Sequence, residues 1–93
     1  MVLEIAILNI KEGLLIEFEN NFKKASQIIS SMNGCNSHEL KKCIEVKDQY
    51  VLLVNWETRD YPEIGFQKSP EYQEWKNLLH HFYEPFPTVL LYR

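Results

Sequence analysis

The sequence has no excess of basic residues, no long apolar run and few cysteines, and each shortage argues against a class of protein. Its 10 Lys and Arg are outnumbered by 13 Asp and Glu, which gives a formal net charge of −3. A nucleic-acid-binding surface needs clustered basic side chains that neutralise phosphates, so we expect no nucleic-acid partner. No apolar stretch approaches the roughly 20 residues that cross a bilayer, so we expect no membrane association.

The two cysteines, Cys35 and Cys43, lie in a segment that we expect to form one extended strand. At about 3.3 Å per residue they would lie about 26 Å apart, whereas a disulfide needs Cα atoms within about 7 Å. We therefore expect two free thiols. Because the first ten residues resemble a strand and not an export signal, the expected location is cytoplasmic. The cysteines and the three histidines show no metal-ligand spacing, so we expect no metal site.

Strand and helix patterns alternate along the 93 residues, which we interpret as a single domain, 1–93. Residues 2–10 are nearly all aliphatic, which is typical of a buried strand. In residues 14–32 apolar side chains recur every three or four positions, and this spacing predicts an amphipathic helix ended by Gly34. The mixed polar and apolar residues 35–44 predict an edge strand, and residues 50–56 predict a strand that is apolar on both faces.

The last third of the chain predicts one helix and one short strand. Ser69 followed by Pro70 is a typical helix start, and the helix is expected to continue to about Phe82. A shorter helical turn is expected over residues 62–67, and residues 88–92 predict the final strand. The resulting βαββαβ order is that of a ferredoxin-like α+β fold, with a four-stranded antiparallel sheet and both helices on one face.

This fold predicts an oligomer. Two helices can cover only one face of a four-stranded sheet, yet the first and third strands carry apolar side chains on both faces. An uncovered aliphatic face of that size would promote aggregation. The expected cover is the sheet of a second copy stacked about 10 Å away, which makes the chain a homodimer through its sheet face.

Several segments resemble the antibiotic biosynthesis monooxygenase family, a group of dimeric α+β barrels, and the resemblance covers essentially the whole chain. The segments are the opening MVLEIAILNIKEG, the turn and strand NGCNSHEL, the strand end Trp56-Glu57, the helix start Phe66 to Tyr72, and residues His80 to Pro87. The resemblance implies a cofactor-independent oxygenase that inserts oxygen from O₂ into an electron-rich phenol, anthrone or quinol. Such an enzyme needs an apolar, aromatic-lined cavity that excludes water, and polar groups that help to ionise the substrate.

The resemblance suggests two sets of site residues. The candidate wall of a substrate pocket is Trp56, Phe66, Tyr72, Trp75 and Phe82. The candidate polar contacts or bases are His38, Asn55, His80 and His81.

Each candidate also has a structural interpretation. The aromatic residues lie at positions that suit core packing, and His38 suits a surface or an interface. Adjacent helical residues point about 100° apart, so His80 and His81 cannot both face one centre, and either could cap the helix. Asn55 interrupts an apolar strand, where a buried amide would need partners.

The haem-degrading branch of the same superfamily is disfavoured. Its pattern needs an Asn on the first strand, a Trp shortly before the second helix and a His on that helix, and these positions hold Ala6, Phe66 and Lys76 here. Two alternatives to a monooxygenase stay open, because one fold can serve several functions. They are a non-oxidative, isomerase-like enzyme and a non-catalytic dimer that binds a small ligand.

Overall fold

The computed structural model describes residues 1–93. Its strands are β1 (Val2–Asn9), β2 (Cys35–Lys42), β3 (Gln49–Trp56) and β4 (Val89–Tyr92). Its α-helices are α1 (Leu15–Ser31) and α2 (Pro70–Leu79); a π-helical turn (Tyr61–Phe66) precedes α2, and a 3-10 turn (His80–Phe82) follows it. The strands form one antiparallel sheet in the order β2-β3-β1-β4. The ferredoxin-like βαββαβ fold and the edge position of the second strand are therefore confirmed.

Helix α1 packs on the sheet through one stripe of buried side chains: Phe18, Phe22, Ala25 and Ile29. This spacing of three or four residues brings them onto one side of the helix, as the sequence pattern predicts. After α1, the chain reverses at Gly34, whose φ of +83° is a left-handed conformation that glycine adopts without strain. A hydrogen bond of 2.7 Å from the Glu57 N–H to the Gly34 carbonyl ties this reversal to the end of β3.

The pairing of β1 with β3 decides which side chains face the helices. Val2 lies opposite Trp56 and Leu8 lies opposite Tyr50, and all four are buried on the helix-covered side. The alternate residues form the outer face of the sheet, which we define as Leu3, Ile5, Ile7, Val51, Leu53, Leu90 and Tyr92. No element of the chain covers this outer face, and Ile7, Leu90 and Tyr92 remain 42%, 52% and 49% exposed.

Helix α2 begins as predicted but ends early. The Ser69 side chain accepts a hydrogen bond from the Tyr72 N–H and caps the helix, and Pro70 is its first residue. The helix ends at Leu79 and not near Phe82, because a hydrogen bond holds the following turn against the end of β1. There the Lys11 N–H donates to the Phe82 carbonyl at 2.9 Å.

Two further predictions can be compared with the structure. Both cysteines are free thiols, as their separation along the chain predicts, and Cys43 lies one residue beyond the end of β2. Neither helix has the length and apolar composition that a membrane-spanning segment requires.

Candidate functional site

A cavity of about 140 Å³ lies between the sheet and the helices. Its floor is the core side of β1 and β3, and its walls come from the π-helical turn, α2 and the chain after α2. Five aromatic rings line it, together with one imidazole: Phe66, Tyr72, Trp75, Tyr83, Phe86 and His80. A larger groove of about 400 Å³ beside Arg59 and Glu63 has only one aromatic ring, that of Tyr92. The smaller cavity is therefore the candidate site for an aromatic ligand.

The start of α2 fixes the aromatic wall. The Ser69 hydroxyl donates to the Phe66 carbonyl at 2.6 Å and accepts from the Tyr72 N–H at 3.3 Å, so one side chain joins the π-helical turn to the helix. This places the Phe66 ring edge-to-face against Tyr72 and Trp75, with centroids 5.1 and 5.5 Å apart. Aromatic pairs in this geometry hold each other in place.

The segment after α2 closes the other side of the cavity. The Glu84 N–H donates to the Asn9 carbonyl at 2.9 Å, and Tyr83 forms an isolated bridge with Ile10. These bonds hold the His80 ring within 4.9 Å of Phe86 and 5.9 Å of Tyr83, measured between ring centroids. Burial, followed by the charge of Lys76, lowers the pKa of His80, so its imidazole is mainly neutral at pH 7.

One carboxylate lies in the cavity wall. Glu4 is opposite Val54, on the core side of β1, and its Oε1 accepts a 2.7 Å hydrogen bond from Nε1 of Trp56 on the neighbouring strand. Burial raises the pKa of Glu4 above its ordinary value, and the bond from Trp56 partly offsets this rise. A carboxylate with a raised pKa in an apolar cavity is a stronger base than one in water, so Glu4 can exchange a proton with a ligand.

The structure brings some of the predicted site residues together. Phe66, Tyr72, Trp75 and His80 line the cavity. Trp56 lies directly behind it, fully buried, with its ring 6.1 Å from that of Phe66.

The other predicted residues lie elsewhere. The Phe82 ring is in the core beside Phe18, and the exposed His81 ring packs on that of Phe82. His38 Nδ1 is 3.3 Å from the Ser30 hydroxyl at the edge of the sheet. Asn55 is on the side of β3 away from the cavity, where its Nδ2 donates to the Ser37 hydroxyl at 3.0 Å. No three Asp, Glu, His or Cys side chains are placed so that they could hold a metal ion.

The sequence-based list lacks Glu4, Tyr83 and Phe86. A signal for Glu4 was present, because alternation along β1 places it in the row of Val2, Ala6 and Leu8, as the single charged residue on the core side. Tyr83 and Phe86 follow the last helix in a segment without periodicity. The hydrogen bonds of the neighbouring residues Phe82 and Glu84 with Lys11 and Asn9 bring this segment to the cavity.

Comparisons with known proteins agree with this architecture. The antibiotic biosynthesis monooxygenase family matches residues 1–78. The uncharacterized protein YczJ of Bacillus subtilis (strain 168) is 57% identical over 89 residues, which cover 96% of this chain and 94% of that protein.

Two solved structures have a similar fold and differ in their sequence identity to this chain. A crystal structure from Bordetella bronchiseptica, described as of this family, has a TM-score of 0.93 and 29% identity over 99% of this chain and 94% of that one. SnoaB from Streptomyces nogalater, a cofactor-independent oxygenase, has a TM-score of 0.85 and 17% identity over 99% of this chain and 90% of its own. The predicted dimeric α+β barrel type of fold is thereby confirmed. With the family match over residues 1–78, the chain belongs to the antibiotic biosynthesis monooxygenase family.

Proposed function

We propose that the chain is a cofactor-independent monooxygenase that oxidises a small electron-rich aromatic, such as a phenol, anthrone or quinol, with O₂. The observation that carries this proposal is the cavity between the sheet and the helices, whose walls are aromatic and whose polar groups include the Glu4 carboxylate and the His80 imidazole. A mainly apolar cavity with a few placed polar groups suits a planar ligand that must lose a proton. The activity of SnoaB on the same fold supports the proposal.

In the proposed reaction the substrate is the only reductant. Its hydroxyl loses a proton, the phenolate passes one electron to O₂, and superoxide combines with the phenoxyl radical at a ring carbon. That peroxide takes up a proton; its O–O bond then breaks as the ring C–H proton leaves, which gives a quinone and water. One oxygen atom enters the product, the other leaves as water, and no further electron donor is needed. The protein contributes orientation, proton transfer and exclusion of water.

Oxygen uptake tests this proposal directly. Metal-stripped protein should consume O₂ faster than the spontaneous rate with at least one member of a panel of phenols, naphthols, quinols and anthrones. We expect His80→Ala to lower the rate about tenfold or more, because it removes a hydrogen-bonding group from the cavity wall.

His81→Ala is the matched control, because His81 is the neighbouring residue but is exposed and outside the cavity. Its rate should equal that of the unmodified protein. Equal rates for all three proteins would contradict the role of His80. Tight binding of the aromatics without any uptake would favour the non-oxidative enzyme or the ligand-binding dimer.

We further propose that two copies pair through the outer face of the sheet. This face presents aliphatic side chains from β1, β3 and β4 that no other element covers. Exposed apolar areas of this kind mark contact surfaces, and a second copy offers a face of the same shape and polarity. The chain should therefore be a dimer. Separately, we expect it to be located in the cytoplasm.

A charge at the centre of the outer face should separate the copies. Ile5 lies between Leu53 of β3 and Leu90 of β4, so Ile5→Asp would bury a carboxylate in the proposed interface. Light scattering at micromolar concentration should give the mass of a dimer for the unmodified protein and of a monomer for this variant. Ile16→Asp is the control, because Ile16 is 74% exposed on α1 and should leave the dimer intact. A monomeric unmodified protein would refute this interface.

A further inference from the structure

Above the pKa of Glu4, the polar groups of the cavity carry one negative charge and no fixed positive charge. The lining includes Glu4, Gln67, His80 and two tyrosines, but no Lys or Arg. His80 is mainly neutral at pH 7, because burial and Lys76 lower its pKa. An anionic ligand would therefore meet the Glu4 carboxylate without a compensating cation. Since an unpaired charge is costly to bury, the site favours ligands that enter without charge.

The volume of the cavity limits the size of the ligand. Sites for drug-sized molecules usually measure about 300–1,000 Å³. An apolar cavity of ~150 Å³ in another protein takes up a single benzene ring. The cavity here, about 140 Å³, is of this smaller class. It opens to solvent beside the exposed residues Phe86 and Val89, and its inner part suits one aromatic ring.

One oxygen of Glu4 is available to such a ligand. Oε1 accepts the hydrogen bond from Nε1 of Trp56 at 2.7 Å, which fixes the orientation of the carboxylate, while Oε2 accepts no hydrogen bond from the protein. An ionised carboxylate has about four acceptor positions, so the bond from Trp56 leaves most of its capacity unused. Glu4 also lines the cavity, so a ligand hydroxyl can reach it.

From this geometry we propose that the cavity binds a neutral one-ring phenol or hydroquinone and that Glu4 accepts the proton of its hydroxyl. The inference rests on the proposed function and names its substrate class and its base. In the step, the phenol O–H bond breaks and a carboxyl O–H bond forms on Glu4, which leaves a phenolate and a neutral carboxylic acid. The net charge of the site stays the same, so the step creates no additional buried charge. Trp56 acts as a positioning residue for the base.

Other titratable groups near Glu4 affect the pH at which it acts. Burial, followed by the charge of Glu4, raises the pKa values of Tyr72 and Cys35, which therefore stay neutral at pH 7. Tyr83 has a raised pKa through burial, and His80 has a lowered one. The pKa of Glu4 is itself raised by burial. Recognition of a phenol O–H should therefore be strongest above this raised pKa and should weaken as the pH falls through it.

A binding experiment that uses neither O₂ nor turnover tests the inference. The probes are 4-fluorophenol and 4-fluoroanisole, which differ in a hydroxyl that can donate and a methoxy group that cannot, and binding is followed by ¹⁹F NMR without oxygen. Above the Glu4 pKa, the unmodified protein should bind the phenol about tenfold more tightly than the anisole, because hydrogen bonds to charged groups are the stronger kind. Glu4→Gln, which keeps shape but removes charge, should reduce this preference to about threefold or less.

Two comparisons complete the test. Trp56→Phe removes the hydrogen bond that lowers the pKa of Glu4. As the pH is lowered, this variant should therefore lose its preference for 4-fluorophenol over 4-fluoroanisole at a higher pH than the unmodified protein does. The anionic probe 4-fluorobenzoate should bind more weakly than 4-fluorophenol, and Glu4→Gln should narrow that difference.

The outcomes separate this inference from the proposed function. An unchanged phenol preference in Glu4→Gln, or tight binding of the benzoate to the unmodified protein, would overturn it even if oxygen uptake is observed. Absence of binding by both neutral probes would overturn the one-ring assignment. A preference that depends on Glu4 in a protein without oxygen uptake would uphold the phenol site and refute the monooxygenase.

Discussion

Replacing Trp56 with alanine should lower the free energy of unfolding by about 3–5 kcal/mol. The Trp56 side chain has no exposed surface, packs against Phe66 and donates to Glu4, so the change leaves both a cavity and a carboxyl without its donor. A chain of this length is expected to have about 5–14 kcal/mol of stability in total, so the loss is a large fraction. Urea unfolding monitored by the fluorescence of the remaining Trp75 measures it.

Trp56→Phe is the matched control, because it keeps an aromatic ring and removes the hydrogen-bond donor. We expect a smaller loss of about 1–3 kcal/mol. This loss of stability should increase with pH. The bond from Trp56 stabilises the ionised form of Glu4, so its removal raises the pKa of Glu4 in the folded variant further above the unfolded value. The folded variant then binds more protons than the unfolded chain over a wider pH range, and its stability falls across that range as the pH rises. A loss independent of pH would contradict the coupling of Trp56 to Glu4.

Replacing Gly34 with alanine should lower the free energy of unfolding by about 2–5 kcal/mol, the sum of a backbone and a steric contribution. The backbone contribution comes from a φ of +83°, which is unfavourable for any residue with a Cβ. The steric contribution comes from the added Cβ, which would lie 2.2 Å from Cγ of Tyr61. Tyr61 would have to move, and it begins the π-helical turn that carries Phe66 into the cavity wall.

Gly13→Ala separates the two contributions. Gly13 has a nearly identical φ of +84°, but a Cβ there would meet no atom within 4 Å. This variant should lose only the backbone part, about 1–2 kcal/mol. Chemical unfolding of both variants gives the steric part as their difference. Equal losses would show that Tyr61 moves aside without cost, and Gly34→Ala should then leave probe binding unchanged.

Most of the fold could be predicted from the sequence, because periodicity reports which faces are buried. The aliphatic runs of β1 and β3, the helical stripe of α1 and the Ser69-Pro70 start of α2 all form as their patterns predict. The end of α2 was predicted too far along the chain. Its local sequence favours a longer helix, but the hydrogen bonds between residues 82–84 and residues 9–11 override that preference.

The site was less predictable than the fold. Helical spacing identified Tyr72 and Trp75 as inward-facing, but core packing and cavity lining require the same pattern, and only the three-dimensional arrangement separates them. His38 and Asn55 have the residue types that catalysis uses, yet strand register directs one to the sheet edge and the other to the outer side. Glu4 was overlooked because its apolar neighbours suggested a purely structural strand.

The pairing of β1 with β4 has a consequence for synthesis of the protein. β1 lies between β3 and β4, so one of its edges stays unpaired until residues 89–92, the last part of the sheet to be made, leave the ribosome. An unpaired edge on a strand that is apolar on both faces is a template for pairing with another chain. Nascent chains should therefore be most prone to aggregation before β4 is free to pair with β1.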